Sequence, residues 1–168
     1  MSDTPLVTVG DEPAHDDVAA ATDAIVARLG GGRFAVELSS VAEVGRAPGI
    51  TRVPGLPPWL AGVANWRGRI LPVLDIRGLL GADPAPLETS ARLLVLVEGS
   101  IVVGMLVDGV EGTTMLGSDV AAFPPVSAPA GAGLLSGQVP REDGPIAVLD
   151  VAAVLRLRES LPRGRRTA

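Results

Sequence analysis

The sequence predicts a mainly β protein built from two related units, and two observations support this prediction. First, 21 glycines and 15 prolines separate short Val- and Leu-rich runs, a composition that favours many short strands and turns over long helices. Second, Leu60-x-Gly62 and Val73-Leu74-Asp75 return later in the chain, at one constant offset, as Leu135-x-Gly137 and Val148-Leu149-Asp150. A strand-turn signature that recurs at a single offset indicates two copies of one small β unit.

A second repeat supports the duplication. Ala35-x-x-Leu38-x-x-Val41 matches Gly104-x-x-Val107-x-x-Val110 at a slightly smaller constant offset. The difference between the two offsets corresponds to a six-residue insertion, which we place in the Pro- and Gly-rich segment Ala121–Gly133. Chance similarity among Val-rich strands is the alternative explanation.

Apolar runs and turn residues place the elements of the first unit. The predicted strands are Ala24–Leu29, Arg33–Leu38, Trp59–Trp66 and Arg69–Ile76, with turns at Gly30-Gly31-Gly32 and Arg67-Gly68. Val41–Gly45 is either a short strand or a bend. Three prolines make residues 51–58 irregular, and Gly78–Gly81 closes the unit as one helical turn.

The second unit opens with the clearest hairpin of the chain, in which the turn Glu98–Ser100 joins Arg92–Val97 to Ile101–Val107. Three further strands are expected at Val110–Leu116, Leu134–Val139 and Pro145–Leu149. Asp150 is typical of an N-cap, so a short helix is predicted over Val151–Arg158.

Composition divides the chain into three parts. Residues 1–22 are acidic and lack a hydrophobic period, which predicts a disordered tail. Residues 23–158 form one domain with approximate halves 23–81 and 92–158. Residues 159–168 form a basic C-terminal end.

Composition also limits the function classes. The formal net charge of −5 arises from residues 1–30, which hold six acidic residues and one arginine, so the folded part has no field that attracts nucleic acid. Cysteine is absent and the single histidine, His15, lies in the tail. We therefore expect no Ser-His catalytic pair, no thiolate metal site and no cofactor. The apolar runs are too short to span a bilayer, so a cytoplasmic protein without membrane insertion is expected.

Two sets of charged residues have alternative interpretations. Asp75 and Asp150 each end a strand before a helical turn, where an Asp caps free N–H groups rather than forming a catalytic carboxylate pair. Glu43 and Arg67 are either two solvated charges or an ion pair across the first unit, in which the Arg fork fixes the shape of a turn.

Several motifs in a fixed order resemble the CheW family of chemotaxis coupling proteins from about Ala24 to Arg158. The resemblance rests on Phe34-Ala35-Val36-Glu37-Leu38, Val41-x-Glu43-Val44, Ile50-Thr51-x-Val53-Pro54, the segment Pro57–Arg77, Val103-Gly104-x-x-Val107-Asp108-x-Val110, and Gly137 with Val148-Leu149-Asp150. There are three departures, one of which is a leading tail that is longer and more acidic than a minimal member needs. Trp66 replaces the usual aliphatic residue, and Gly112-Thr113 stands where an apolar residue is usual.

The resemblance implies a fold and a function. The expected fold is two five-stranded SH3-like β-barrels related by a pseudo-twofold, with an apolar groove between them and a short C-terminal helix. The expected function is a non-enzymatic adaptor that joins the cytoplasmic tip of methyl-accepting chemoreceptors to the regulatory domain of a CheA-type histidine kinase. Such an adaptor is a monomer or forms weak ring assemblies, and it lies at membrane receptor arrays through protein contacts.

The resemblance also assigns candidate residues. The receptor-binding candidates are Val41, Glu43, Gly62, Arg67 and Val110, and a helix-in-groove contact with a receptor hairpin is the expected mode. The kinase-binding candidates are Leu93 and Leu94. Two alternatives remain, which are the same scaffold in another two-component output, such as pilus motility or development, and a small β-barrel enzyme.

Overall fold

The computed structural model describes residues 20–83, 85–123 and 131–161. In those ranges the chain forms β1 (Thr22–Leu29), β2 (Gly32–Glu37), β3 (Val41–Arg46), β4 (Leu60–Trp66), β5 (Arg69–Leu74), β6 (Arg92–Glu98), β7 (Ile101–Val107), β8 (Gly109–Leu116), β9 (Leu135–Val139), β10 (Ile146–Leu149) and α1 (Val151–Arg156). The predicted strands are thereby confirmed, with boundaries that differ by a few residues. The alternative at Val41–Gly45 is resolved as a strand.

The strands form two five-stranded sheets. Barrel A has the order β8-β1-β2-β10-β9, and barrel B has the order β3-β6-β7-β5-β4. In each sheet one central pair is parallel, β10 with β2 and β5 with β7, while the other neighbours are antiparallel. The mainly β fold with two five-stranded units and one short helix is therefore as predicted.

The strand registers confirm the internal repeat. In barrel A, Ala24 lies opposite Glu37, and the repeat-equivalent pair in barrel B, Leu93 and Leu106, has the same register. The two sheet orders become identical when β1–β3 are matched with β6–β8, and β4–β5 with β9–β10. Agreement in register and in order is not expected from chance similarity of Val-rich strands.

The two barrels do not follow the two halves of the sequence. Barrel A combines β1 and β2 of the first half with β8, β9 and β10 of the second, and barrel B contains the remaining strands. Strands of the halves 23–81 and 92–158 are therefore mixed in each barrel, so neither half forms a barrel by itself. Only Asp108 separates β7 from β8, and one residue cannot form a hairpin turn, so the chain runs directly into the other barrel.

Three hydrophobic clusters hold the fold together. The interior of barrel A contains Val26 and Val148, and the interior of barrel B contains their repeat equivalents Val95 and Val73. A third, larger cluster lies between the barrels, where strand residues such as Met105 pack against α1. The helix thus joins the two barrels rather than closing either one.

The ends and the insertion agree partly with the predictions. β1 begins at Thr22, inside the predicted tail 1–22, of which residues 1–19 lie outside the described residues. α1 ends at Arg156 and continues as a 3-10 turn to Ser160, and residues 162–168 of the predicted basic end are also outside the described residues.

The isolated bridges Thr51–Val63 and Ala121–Gln138 occupy equivalent places in the two barrels. The equivalent segments between bridge and strand are nine positions long from Thr51 to Leu60 and 14 positions long from Ala121 to Leu135. The second segment is therefore five residues longer, so five of the six inserted residues lie in the predicted segment.

Candidate functional site

The candidate site is centred on the turn between β4 and β5. Arg67 and Gly68 form a two-residue loop with φ values of 50° and 82°, both of the sign that a type I′ hairpin turn needs. Asn65 Oδ1 accepts a hydrogen bond from Gly68 N at 2.9 Å and fixes the turn. Arg67 is the one non-glycine residue with positive φ among the described residues. This backbone conformation costs an L-residue about 1–2 kcal/mol.

Glu43 on β3 joins this turn to the other edge of barrel B. Arg67 Nε lies 2.6 Å from Glu43 Oε1, and Trp66 Nε1 donates to Glu43 Oε2 at 2.6 Å. Of the two alternatives left open by the sequence, the structure shows the ion pair and not two solvated charges. The Arg67 side chain is 74% exposed and that of Glu43 35%, so the pair contributes little to stability and remains accessible to a partner.

A β-bulge places Glu43 at this seam, by which we mean the place where the edge strands β3 and β4 of barrel B come together. The pairing of β3 with β6 shifts between Val41, opposite Leu96, and Glu43, opposite Val95. Barrel A has the same shift in β8, where Gly112 occupies the position equivalent to Glu43. The acid-arginine pair is therefore confined to barrel B, and the site breaks the pseudo-symmetry of the fold.

Gly62 is buried and supports the site through its backbone. Its φ is 145°, and a Cβ there would collide with the carbonyl oxygen of Thr51, which pairs with β4. Gly137 is its equivalent in barrel A, where a Cβ would lie 2.7 Å from the carbonyl oxygen of Ala121. Both glycines allow an extra segment to approach the edge of a barrel. Gly62 therefore has no side chain or exposed surface with which to contact a receptor directly.

The two candidate valines differ in exposure. Val110 is 39% exposed on the edge strand β8, next to exposed positions 111–113. Val41 begins β3, is only partly exposed and packs against the cluster between the barrels. Val110 thus offers apolar surface to a partner, whereas Val41 divides its contacts between surface and core.

Leu93 and Leu94 are core residues. Both are 0% exposed, Leu93 in the interior of barrel B and Leu94 in the cluster between the barrels. β6 lies between β3 and β7, and its two faces are covered by these two clusters. Neither side chain is available to a kinase, which corrects the expectation of a direct contact.

The family comparison agrees with this architecture. The sequence model of the CheW-like domain matches residues 23–159. The chain belongs to the CheW-like domain family. Its fold is similar to that of a scaffolding protein, TtCheW from Thermoanaerobacter tengcongensis, with a TM-score of 0.69, 22% identity, and coverage of 77% of this chain and 88% of that one.

Relatives of this CheW-like chain have several names. Protein PilI of Pseudomonas aeruginosa is 38% identical over 100 residues, which are 60% of this chain and 56% of PilI. Protein FrzA of Myxococcus xanthus is 37% identical over 67% of this chain and 70% of its own length. The chemotaxis protein CheW of Bacillus subtilis is 32% identical over 50% and 54%. The chain thus spans little more than half the length of PilI and of this CheW.

A buried ion cluster supports the CheW-like fold at the point where the chain crosses between barrels. Arg77 is buried and donates to Asp75 through Nε (2.9 Å) and Nη2 (2.7 Å), and to Asp108 Oδ1 through Nη1 (3.1 Å). Asp108 Oδ2 accepts from Gly30 N at 2.6 Å, so the cluster links both barrels. Burial raises the pKa of Asp75, but the hydrogen bonds and charge of Arg77 outweigh it and lower that pKa below 3.8.

Only part of this cluster is predictable from the sequence. Asp150 caps α1 as predicted, since its Oδ1 accepts from Ala153 N at 3.0 Å. Asp75 accepts a long bond from Arg77 N at 3.3 Å, but its main partner is the Arg77 guanidinium. The i, i+2 spacing of Asp75 and Arg77 after an apolar strand was the available signal.

The described residues contain no group of three or more His, Cys, Asp or Glu side chains arranged to hold a metal ion. Within the same ranges, no helix is long and apolar enough to cross a membrane.

Proposed function

We propose that this CheW-like chain is a non-enzymatic adaptor that couples chemoreceptors to a CheA-type histidine kinase in the cytoplasm. The observation that carries the proposal is the Glu43–Arg67 pair, displayed on a strained turn at the exposed seam of barrel B. Backbone strain persists where the surrounding structure enforces it, and such sites are commonly functional. An exposed ion pair does little for stability, so its value lies in the shape and charge that it offers to a partner.

The receptor side of the adaptor comprises Val41, Glu43, Arg67 and Val110, with Gly62 as backbone support. A chemoreceptor tip is a helical hairpin, and amphipathic helices dock by placing apolar side chains in a groove. Val44 and Val110 are exposed and supply apolar surface, and Arg67 supplies a planar fork that suits a carboxylate. The receptor side thus offers one exposed valine on each barrel and one fixed charge pair on barrel B.

The kinase side follows from the likeness of folds. The family resemblance implies that the regulatory domain of the kinase has the same two-barrel fold, and pairing of like folds produces head-to-tail contacts that build rings. Leu93 and Leu94 contribute to kinase binding only indirectly, because they hold β6 in place between two cores. Through such contacts the adaptor resides at receptor arrays as a monomer or in weak rings.

An adaptor carries out no chemical reaction of its own. The described part lacks histidine and cysteine, and the carboxylates Asp75 and Asp150 are engaged as ion-pair partner and helix cap. Groups that titrate near neutrality and are free to transfer protons are what acid-base catalysis needs. An adaptor needs only stable surfaces, which the two barrels provide.

A second candidate is the same scaffold in another two-component output, such as pilus motility or development. It is suggested by the names of two similar relatives, PilI and FrzA, which are 38% and 37% identical to this chain, while a probable chemotaxis protein CheW of Rhizobium etli is 37% identical. Binding assays with each CheA-type kinase of the same organism distinguish the two outputs, because only the cognate kinase is expected to bind with high affinity.

Calorimetric titration tests the adaptor proposal. The full chain is titrated separately with the cytoplasmic hairpin of a chemoreceptor and with the regulatory domain of a CheA-type kinase. We expect both to bind, and we expect Glu43→Ala to weaken the receptor titration while leaving the kinase titration unchanged. Absence of binding to both partners contradicts the proposal.

A further inference from the structure

Trp66 makes three contacts at the candidate site, and two of them, the indole hydrogen bond and the cation–π contact, are impossible for the aliphatic residue that is usual at this position. Its indole N–H donates to Glu43 Oε2 at 2.6 Å. Its ring covers Gly45 so closely that a Cβ at position 45 would lie 3.0 Å from Trp66 Cζ2 and closer still to Cη2. The Arg67 guanidinium carbon lies 5.9 Å from the centroid of the same ring, within reach of a cation–π attraction.

The contacts of Trp66 have a partial counterpart in barrel A. Arg141 occupies the position equivalent to Trp66 in the second copy of the repeat, and Thr114 occupies the position equivalent to Gly45. Arg141 Nη2 donates to Thr114 Oγ1 at 3.3 Å, and Nη1 donates to Asp119 Oδ2 at 2.8 Å. Both barrels are therefore closed by the residue at this position. Only in barrel B does the closing residue also hold an acid of the candidate docking site.

We propose that Trp66 is a positioning residue for receptor recognition, which orients the Glu43 carboxylate so that Glu43 in turn orients Arg67. The inference rests on the proposed adaptor function. Each oxygen of the carboxylate has its own partner, Oε2 the indole and Oε1 the Nε of Arg67, so the carboxylate cannot rotate without breaking both contacts. Arg67 is thereby held at Nε, while its largely exposed side chain remains available to a partner.

Preorganisation explains why this arrangement affects binding rather than stability. Arg67 carries a long side chain whose immobilisation on binding costs affinity, and a side chain already held in place loses less freedom. Gly45 completes the arrangement, because any larger residue there displaces the indole from Glu43. Trp66 and Gly45 together thus form a steric pair that sets the geometry of the site.

The first test uses the free protein. The indole N–H resonance of Trp66 is followed by NMR in the wild type and in Glu43→Gln, with the second tryptophan, Trp59, as an internal reference. We expect the Trp66 signal to shift and the Trp59 signal to remain in place. An unchanged Trp66 signal overturns the inference, because it means that the indole does not sense the Glu43 carboxylate.

The second test measures receptor binding by Trp66→Phe, with Trp59→Phe as the matched control. Phenylalanine keeps a ring over Gly45 and removes the donor, so melting is expected to stay near that of the wild type. Without the donor, Glu43 no longer holds Arg67 in place before binding, and the added cost of ordering the Arg67 side chain predicts about tenfold weaker binding to the receptor hairpin. The double variant with Glu43→Gln is expected to bind no more weakly than Glu43→Gln alone.

The outcomes separate the inference from the function on which it rests. If the wild type binds the hairpin and Trp66→Phe binds equally well, the positioning role is wrong and the adaptor function stands. If additive losses appear in the double variant, the two residues act independently and the inference is also wrong. If the wild type does not bind the hairpin, the proposed function itself fails.

Discussion

The backbone of Arg67 carries a conformational cost that another residue at the same position avoids. Asparagine tolerates positive φ better than arginine, and Asn-Gly is a preferred pair in type I′ turns. We therefore expect Arg67→Asn to melt at or slightly above the wild-type temperature, since relief of about 1 kcal/mol of strain offsets the loss of an exposed ion pair. Receptor binding is expected to fall at least tenfold.

Arg69→Asn is the matched control for this prediction. Arg69 lies on the same hairpin, opposite Trp66, and is exposed. Its substitution is expected to leave receptor binding near the wild-type level. Equal losses in the two variants show that charge on the hairpin, rather than the geometry of Arg67, drives recognition.

Substitutions at Gly62 and Gly68 distinguish two reasons for a glycine, which are close approach of another segment and a positive φ. Both have positive φ, but a Cβ at Gly62 collides with the Thr51 carbonyl, whereas nothing lies within 4 Å of a Cβ at Gly68. We expect Gly62→Ala to lower the free energy of unfolding by about 3 kcal/mol, and Gly68→Ala by about 1 kcal/mol. Chemical denaturation measures both, and equal losses refute the close approach of Thr51.

At the scale of elements, the edge strands β3 and β8 place their first valines in different surroundings. Val41→Asp puts a charge against the cluster between the barrels and is expected to lower the melting temperature strongly. Val110→Asp is expected to keep a near-normal melting temperature and to lose receptor binding, because its side chain is exposed and apolar.

Thermal melting and receptor and kinase pull-downs on both variants test this difference. Retained kinase binding by Val110→Asp supports separate receptor and kinase surfaces. Unfolding of Val110→Asp contradicts its assignment to an exposed docking surface.

The sequence predicts the strands better than it predicts their partners. Hydrophobic runs and turn residues located β1, β2 and β4–β10, but repeat offsets compare positions along the chain and contain no information on exchange between halves. The deciding feature is the single residue between β7 and β8, which forbids a hairpin there. The burial of Leu93 and Leu94 agrees with the unbroken apolar run Leu93–Val97, which is typical of a strand buried on both faces.

The candidate site was predicted in the same partial way. For Glu43 and Arg67 the sequence leaves an ion pair and two solvated charges as alternatives. Spacing along the chain does not show that the two edge strands β3 and β4 come together where barrel B closes. Trp66 stood out as a departure from the family pattern, but its hydrogen bond to Glu43 depends on barrel closure and on the absence of a side chain at Gly45. Both depend on tertiary contacts that a local pattern does not encode.

At the scale of the whole molecule, the Asp75–Arg77–Asp108 cluster links the two barrels and makes the stability of the fold depend on pH. Arg77 lowers the pKa of Asp75 in the folded state, so the stabilisation is fully present above the ordinary value of 3.8 and is lost as the pH falls through the lower folded value. We expect Asp75→Asn to be less stable than the wild type near neutral pH. The difference is expected to shrink below about pH 4.

Urea denaturation of both proteins at several pH values measures this difference. Asp23→Asn is a suitable control on the exposed end of β1. A difference between wild type and Asp75→Asn that stays constant down to about pH 2 contradicts the electrostatic role of the cluster.

The measurement that tests the adaptor most directly is sedimentation velocity of the chain mixed with a chemoreceptor cytoplasmic fragment and the regulatory domain of a CheA-type kinase. Separate receptor and kinase surfaces predict one complex that contains all three proteins. They also predict that Arg67→Asn sediments with the kinase domain alone. If receptor and kinase displace each other from the wild-type chain, the two surfaces overlap and the coupling function is contradicted.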